Sequence, residues 1–397
     1  MEQIKHLAQH YFSTVVEYRR HFHRYPELSG HEKNTAVYIT NILETLRIPY
    51  RDHFSGFGIV ALLKGRLPGK GTVALRAEMD ALPLREISDK PYRSYRDGVM
   101  HACGHDAHMA MLLGALHILH DLKDTFGGTV KVIFQPSEEE YDGGAPFMIE
   151  EGVLENPDVN VIFGQHVTPG IPSGSIGLRE GNFMASTDEI HIKIIGRGGH
   201  AALIGDVINP VEMGMELLDE LRRFVKENQP QDSPTVLAFG RFIAEGLTNL
   251  IPGSAQMAGT LRTFNEKWRE EVIQNIEKTA HDTAARYGGS CEVTIRRGYP
   301  VLVNDPETAR RVRNYAESYL GAEQVWELPH RMTAEDFAYY LEKRPGTFYR
   351  LGTSPNVAGP DKNLHSPDFD IDETSLKAGM GLLSWITVNE LKRITAE

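Results

Sequence analysis

The sequence predicts an α/β protein in which a largely parallel sheet is interrupted by a smaller two-layer α+β unit. Three observations carry this. Strand-like and helix-like segments alternate through the first half of the chain; the order β-α-β-β-α-β stands between residues 184 and 297; and α/β-type patterning resumes afterwards. The chain, at 397 residues, is also long for one hydrophobic core. Two domains are therefore expected, one from 1–183 with 298–397 and an insert of 184–297.

Taken in order, apolar residues at helical spacing predict helices over 4–23 and 32–46, and shorter β-rich runs predict strands over 58–64 and 72–76. A long apolar helix is expected over 107–122 with Asp106 as its N-cap, followed by strands over 128–134 and 159–164. Polar residues leave the carboxyl ends of these strands, where open α/β sheets form their sites. Thr72 to Arg76 runs into Glu78 and Asp80, Val130 to Phe134 runs into Glu138, Glu139 and Glu140, and Val159 to Phe163 runs into Gln165 and His166. In the insert the expected elements are a strand over 189–195, a glycine turn over 196–199 and a helix over 210–226. Strands over 235–243 and 255–263, a helix over 266–287 and a strand over 290–295 complete it. Helices over 306–320 and 373–391 end the chain.

Composition narrows the function classes. With 41% apolar and 24% charged residues the chain reads as an ordinary globular protein, and a net charge of −12 argues against nucleic-acid and anionic-membrane partners. It holds no apolar run of the roughly 18 residues a membrane helix needs, and its first residues lack the apolar core of a signal peptide, so a cytoplasmic location is expected. Its two cysteines, Cys103 and Cys291, suggest no disulfide framework. Cys291 lies in an alternating stretch and reads as a small buried residue.

Cys103 stands instead among histidines, in Met100-His-Ala-Cys-Gly-His-Asp-Ala-His108. Were this segment extended, Cys103 and His105 would point the same way, and thiolate with imidazole at that spacing suits one metal ion. His101 and His108 flank the pair as supporting or merely local groups, and His117 and His120 read as structural residues of the helix. Glu138, Glu139 and Glu140 could be a solvated acidic turn. Adjacent carboxylates leaving a strand project differently, however, so one can hold a metal while its neighbour takes a proton from water.

The chain resembles the M20 metallopeptidases, and in particular their amidohydrolase branch of N-acyl-amino-acid deacetylases, hippurate hydrolases and auxin-conjugate hydrolases. The likeness runs through Arg20-His-Phe-His-Arg-Tyr-Pro-Glu-Leu-Ser29, Leu75-Arg-Ala-Glu-Met-Asp-Ala-Leu-Pro83, Met100-His-Ala-Cys-Gly-His-Asp106 and Phe134-Gln-Pro-Ser-Glu-Glu139. It continues through Gly196-Arg-Gly-Gly-His-Ala-Ala202, Asn249-Leu-Ile-Pro252, Gly259-Thr-Leu-Arg-Thr-Phe264, Ala334-Glu-Asp-Phe337 and Leu364-His-Ser-Pro367.

That resemblance implies a zinc-exopeptidase-like catalytic domain with a ferredoxin-like lid and dimerisation insert. It makes Cys103, His105, Glu139, His166 and His365 ligands of two divalent ions, zinc first with manganese, cobalt or nickel possible by the donor set. It makes Glu138 the general base and Asp80 the acid that orients a ligating histidine. His200 would hold the tetrahedral intermediate of a partner subunit, and Asn249 and Arg262 the free carboxylate of the amino-acid half. The implied substrate is an N-acyl amino acid and the implied assembly a homodimer or higher oligomer. Departures from the family's pattern fall at Glu78, often Asp; at Thr333, often Gly; and at Ile204-Gly205, often Pro-His; none touches the implied metal ligands, and the lid changes bear on acyl and amino-acid preference. A dipeptidase or carboxypeptidase of the same family, a non-catalytic ligand-binding homologue and a structural zinc module are the competing readings.

Overall fold

Residues 105–121 are apolar around nearly the whole helix circumference, and such a helix has to be covered on every side. In the computed structural model, which describes residues 1–355 and 363–397, the helix His105–Asp121 is the buried centre of the first of two compact units. Helices Phe12–Arg24 and Ser375–Ala396 pack on it, and the strand Leu67–Glu78 lies against it. This unit comprises Met1–Gly181, Val303–Pro329 and Asp336–Glu397.

Its sheet has eight strands, in the order Tyr50–Phe54, Gly58–Lys64, Gly127–Gln135, Leu67–Glu78, Val161–Pro172, Gly346–Ser354, Ile176–Leu178 and Val325–Glu327. The four central strands, Gly127–Gln135 through Gly346–Ser354, are mutually parallel and buried over most of their length, residues 67–70 being exposed, as strands covered on both faces must be where they are covered. Gly58–Lys64 and Tyr50–Phe54 close one side antiparallel. The expected mixed, largely parallel α/β architecture is thus present. No helix among the described residues is long and apolar enough to cross a membrane.

The second unit, Asn182–Leu302 with His330–Glu335, is built on an antiparallel sheet of Val236–Ile243, Ser254–Arg262, Asp188–Ile195 and Ser290–Arg297 in that order. With helices Pro210–Asn228 and Glu266–Arg286 this is the ferredoxin-like arrangement. Ile190, Ile192 and Ile194 alternate inward along the central strand and meet Leu217, Leu221, Val272 and Ile276 from the two helices. Asn209 and Asn265 cap those helices, accepting hydrogen bonds from the Val211 and Trp268 amides at 3.0 Å each.

Several expectations need correction. The expected insert of 184–297 misses His330–Glu335, which joins the second unit because the Arg331 amide donates to the Phe183 carbonyl and the Ala185 amide to the Arg331 carbonyl, both at 3.0 Å. The first helix breaks at Tyr11, which caps Glu2–His10 and precedes Phe12–Arg24; its hydroxyl donates to Asp121 at 2.7 Å. Cys291 is half-buried on an edge strand, 3.3 Å from His281 Nδ1, and is no core residue.

Asp106 is not a cap either. Gly104 caps the helix, and Asp106 lies inside it, fully buried, accepting from Arg19 Nε at 2.8 Å and facing His23 Nδ1 at 2.8 Å. Arg19, itself wholly buried, also pairs with Asp370 at 2.6 Å, so one guanidinium ties three distant segments together. Replacing Asp106 with Ala leaves that charge underpaired in the core. The expected result is a loss of about 3 kcal/mol of stability in urea unfolding.

Candidate metal centre

Local backbone choices aim each site residue. Asp80 follows the strand Leu67–Glu78 by two residues. Cys103 lies in a turn and His105 opens the helix, so the two are not held by an extended segment; Gly104 joins them in the left-handed region at φ +87°. A side chain at Gly104 would place its Cβ 2.3 Å from Val167 Cγ2, so glycine is required there on two counts.

Ser137, also left-handed at φ +58°, turns the chain after Gly127–Gln135 and points Glu138 and Glu139 inward. That unfavourable backbone is held from two sides. The Ser137 amide donates to Glu32 Oε1 at 2.8 Å, and its hydroxyl accepts from the Gly30 amide at 2.9 Å. His166 does not end its strand, as expected, but lies within Val161–Pro172 in register with Arg350, because Gly346–Ser354 extends the sheet alongside it. His365, at φ +60°, is anchored by its amide to the Ala102 carbonyl at 2.8 Å.

These segments bring seven predicted residues together. Donor atoms of Cys103, His105 and His166 lie within 4.8 Å of one another, as do those of Cys103, Glu139 and His365 and those of His105, Glu138 and Glu139. Cys103 Sγ is 3.3 Å from His166 Nε2, and His365 Nε2 is 3.5 Å from Glu139 Oε1. His105 Nε2 is 3.9 Å from both Glu138 Oε2 and Glu139 Oε1. Asp80 stands behind, its Oδ1 3.2 Å from His105 Nδ1 and its Oδ2 accepting from Ser29 Oγ at 2.7 Å and the Glu139 amide at 2.8 Å.

The donor set fits divalent ions. His105 Nδ1 donates to Asp80, so Nε2 is the nitrogen turned toward the two glutamates, where a metal ion can replace its proton; both Nε2 and Glu139 Oε1 are buried without a hydrogen-bond partner. Burial opposes a charged imidazole at His105, yet Asp80, Glu78 and Glu139 outweigh it and raise its pKa to about 10, so the pocket favours positive charge there. Burial, with Glu139 and Glu138, pushes the Cys103 thiol well up, so a thiolate needs a compensating cation. His166 is kept neutral by burial and by Arg350, and its Nδ1 donates to the Val167 carbonyl at 2.6 Å, so its Nε2 is free to coordinate.

Further residues given no definite role from the sequence also adjoin the cluster. His108 Nε2 accepts the Val167 amide at 2.9 Å, which puts its proton on Nδ1 for donation to Glu78 Oε2 at 2.8 Å. Glu78 pairs in turn with Arg76, which also meets Asp336. This buried chain fixes the peptide next to His166; in the sequence it showed as the polar end of the strand 72–76 and as His108 beside the Cys103–His105 pair. Glu32, whose pKa burial and Asp80 raise to about 7, carried no such signal.

The remaining predicted residues belong to the second unit. His200, exposed on the short strand Gly199–His200, accepts the Ala202 amide on Nδ1 at 3.1 Å, and its strand pairs with Leu250–Ile251. Asn249 adjoins it, its carbonyl accepting the Ala201 amide at 3.0 Å. Arg262 ends a different strand and donates from Nη1 to the Met332 carbonyl at 2.9 Å.

Comparison with known proteins defines the class. Residues 74–386 match the family model for peptidase family M20/M25/M40. The Bacillus subtilis (strain 168) protein YhaA, provisionally named an amidohydrolase, is 40% identical over 373 residues, covering 94% of this chain and 93% of its own. The N-acetylcysteine deacetylase of the same organism is 35% identical over 385 residues, covering 97% and 98%. The crystal structure of Bacillus subtilis YXEP, described as a dinuclear metal binding peptidase from the M20 family, superposes with a TM-score of 0.83 at 34% identity over 97% of this chain and 99% of that one. The chain belongs to the M20 peptidase family, and it is a hydrolase of amide bonds.

Asp80→Ala removes the carboxylate that fixes the tautomer of His105. Divalent-ion affinity is expected to fall about 10- to 100-fold, as read by competition with a chromophoric chelator.

Proposed function

We propose that the protein hydrolyses the amide bond of N-acyl amino acids, releasing the free amino acid. The observation that carries this reading is the position of Glu138: it sits beside His105 and Glu139 in a buried donor cluster whose electrostatics favour cations. Cys103, His105, Glu139, His166 and His365 would hold two divalent ions, with zinc favoured by thiolate and imidazole and manganese, cobalt or nickel compatible. When bound, the ions supply Lewis acidity that acidifies the attacking water and polarises the amide carbonyl.

The side chains divide the remaining work. Glu138 takes the proton of the attacking water and delivers it to the departing amine nitrogen. Asp80 holds His105 in one tautomer. His200, supplied by a partner subunit, donates to the oxyanion as it forms, a role worth on the order of 10² to 10³ in rate. Asn249 and Arg262 hold the free carboxylate of the amino-acid half, for which a planar two-pronged guanidinium is suited.

A homodimer is supported by the outer strand of the second unit. Val236–Ile243 is bonded on one side only, to Ser254–Arg262, and Phe242 and Ile243 stay exposed on it. The reading places the protein in the cytoplasm, acting on small molecules without nucleic-acid or membrane partners.

The test is a panel of N-acetyl and N-benzoyl amino acids and unblocked dipeptides, with elemental analysis. Blocked amino acids should be turned over faster; preference for free dipeptides would make the protein a peptidase instead. Glu138→Gln should keep its metal content while kcat falls about 10²- to 10⁴-fold. Metal removal should abolish turnover and leave the circular dichroism spectrum folded, which excludes a structural zinc module.

A further inference from the structure

Val236, Arg262, Arg331, Met332 and Thr333 line a cleft of about 430 Å³ within the second unit. Two of the five carry guanidiniums and none carries a carboxylate. Arg331 is held firmly by its backbone: its amide donates to Phe183 and its carbonyl accepts from Ala185, both at 3.0 Å, with a β-bridge to Met184 between them. Three more deeply buried arginines of this chain are instead paired with carboxylates. Arg19 meets Asp106, Asp370 and Glu373; Arg76 meets Glu78 and Asp336; Arg269 meets Asp188 and Glu266.

Arg331 has no ion pair to any acid among the described residues, and its Nε is buried without a hydrogen-bond partner. Its pKa is lowered by burial, with no carboxylate near enough to pull it back. A half-buried guanidinium with no counter-charge is costly unless a ligand brings one. Thr333, one of the departures from the family's pattern, adds a hydroxyl to the same cleft.

We propose that Arg331 receives a second carboxylate of the substrate, so that the preferred substrates are N-acyl derivatives of acidic amino acids. The inference rests on the reading of Arg262 as the holder of the α-carboxylate. Because Arg262 and Arg331 share one cleft, the two acid groups must lie close together, as they do on aspartate or glutamate. A dicarboxylic acyl group could supply the same chemistry from the other side of the scissile bond, and the experiment separates the two.

The kcat/KM ratio of N-acetylglutamate to N-acetylglutamine, which differ by one charge at nearly constant shape, is measured for the metal-loaded wild type, R331Q and R331K. N-succinylalanine is compared with N-acetylalanine in parallel. The wild-type ratio should exceed about ten, carried by KM; it should fall toward one in R331Q and be largely restored in R331K. Succinylation should bring no gain. A wild-type ratio near one, an equal loss on both glutamyl and glutaminyl substrates in R331Q, or a preference for the succinyl compound overturns the proposal. If the wild type cleaves none of these compounds, the amidohydrolase reading fails by itself. Calorimetric binding then still decides Arg331: N-acetylglutamate should bind about tenfold tighter than N-acetylglutamine to the wild type and equally to R331Q, and equal binding to the wild type overturns it.

Discussion

The structure around the site is governed by the cost of burying negative charge and unpaired lone pairs. Asp80, Glu138 and Glu139 converge on His105 in a pocket that water barely reaches, with a thiol beside them. Carboxylates in such a place either protonate, pair with fixed cations or hold metal ions. Asp80 is spoken for by Ser29, His105 and the Glu139 amide, while His105 Nε2 and Glu139 Oε1 face inward with no hydrogen-bond partner. The cluster is therefore rigid at its rear and unsatisfied at its front, which is the arrangement a pre-organised ligand set requires.

The rigidity comes from the layers beneath. Arg76 neutralises Glu78 and Asp336 under the sheet, and His108 passes that order on to the peptide beside His166. On the far side of the helix His105–Asp121, Arg19 and His23 share Asp106 and anchor it to the helix Phe12–Arg24. The one helix that starts at His105 is thus fixed by ionic networks on two faces and by apolar packing elsewhere. Buried ion pairs of this kind add little net stability, but they are expensive to break, and their geometry is correspondingly well defined.

The second unit follows the opposite logic. Its core is built from alternating strand residues and two amphipathic helices, and its charged groups lie mostly at the surface in pairs. Arg269 and Asp188 form a buried pair in it, whereas Arg331 is a half-buried guanidinium held by backbone pairing and without an ion pair among the described residues.

How much of this was legible in the sequence depended on the range of the interaction. Alternating and helical apolar periods are local, so four of the eight strands of the main sheet, the long central helix and the β-α-β-β-α-β insert could be read within a few residues, while Tyr50–Phe54, Ile176–Leu178, Val325–Glu327 and Gly346–Ser354 were not. The metal-ligand pattern was legible in part: Cys103, His105 and the glutamates by proximity, His166 by its strand, His365 only through resemblance to a family. Three things were decided by the tertiary structure alone. Asp106 became a buried ion-pair partner because Arg19 approaches it from 87 residues away; His166 stayed inside its strand because Gly346–Ser354 extends the sheet past it; and His330–Glu335 joined the second unit through the two backbone hydrogen bonds that bridge Arg331 to residues 183–185. Pairing between segments far apart in the chain leaves no periodicity in either one, which is why composition and spacing could not announce it.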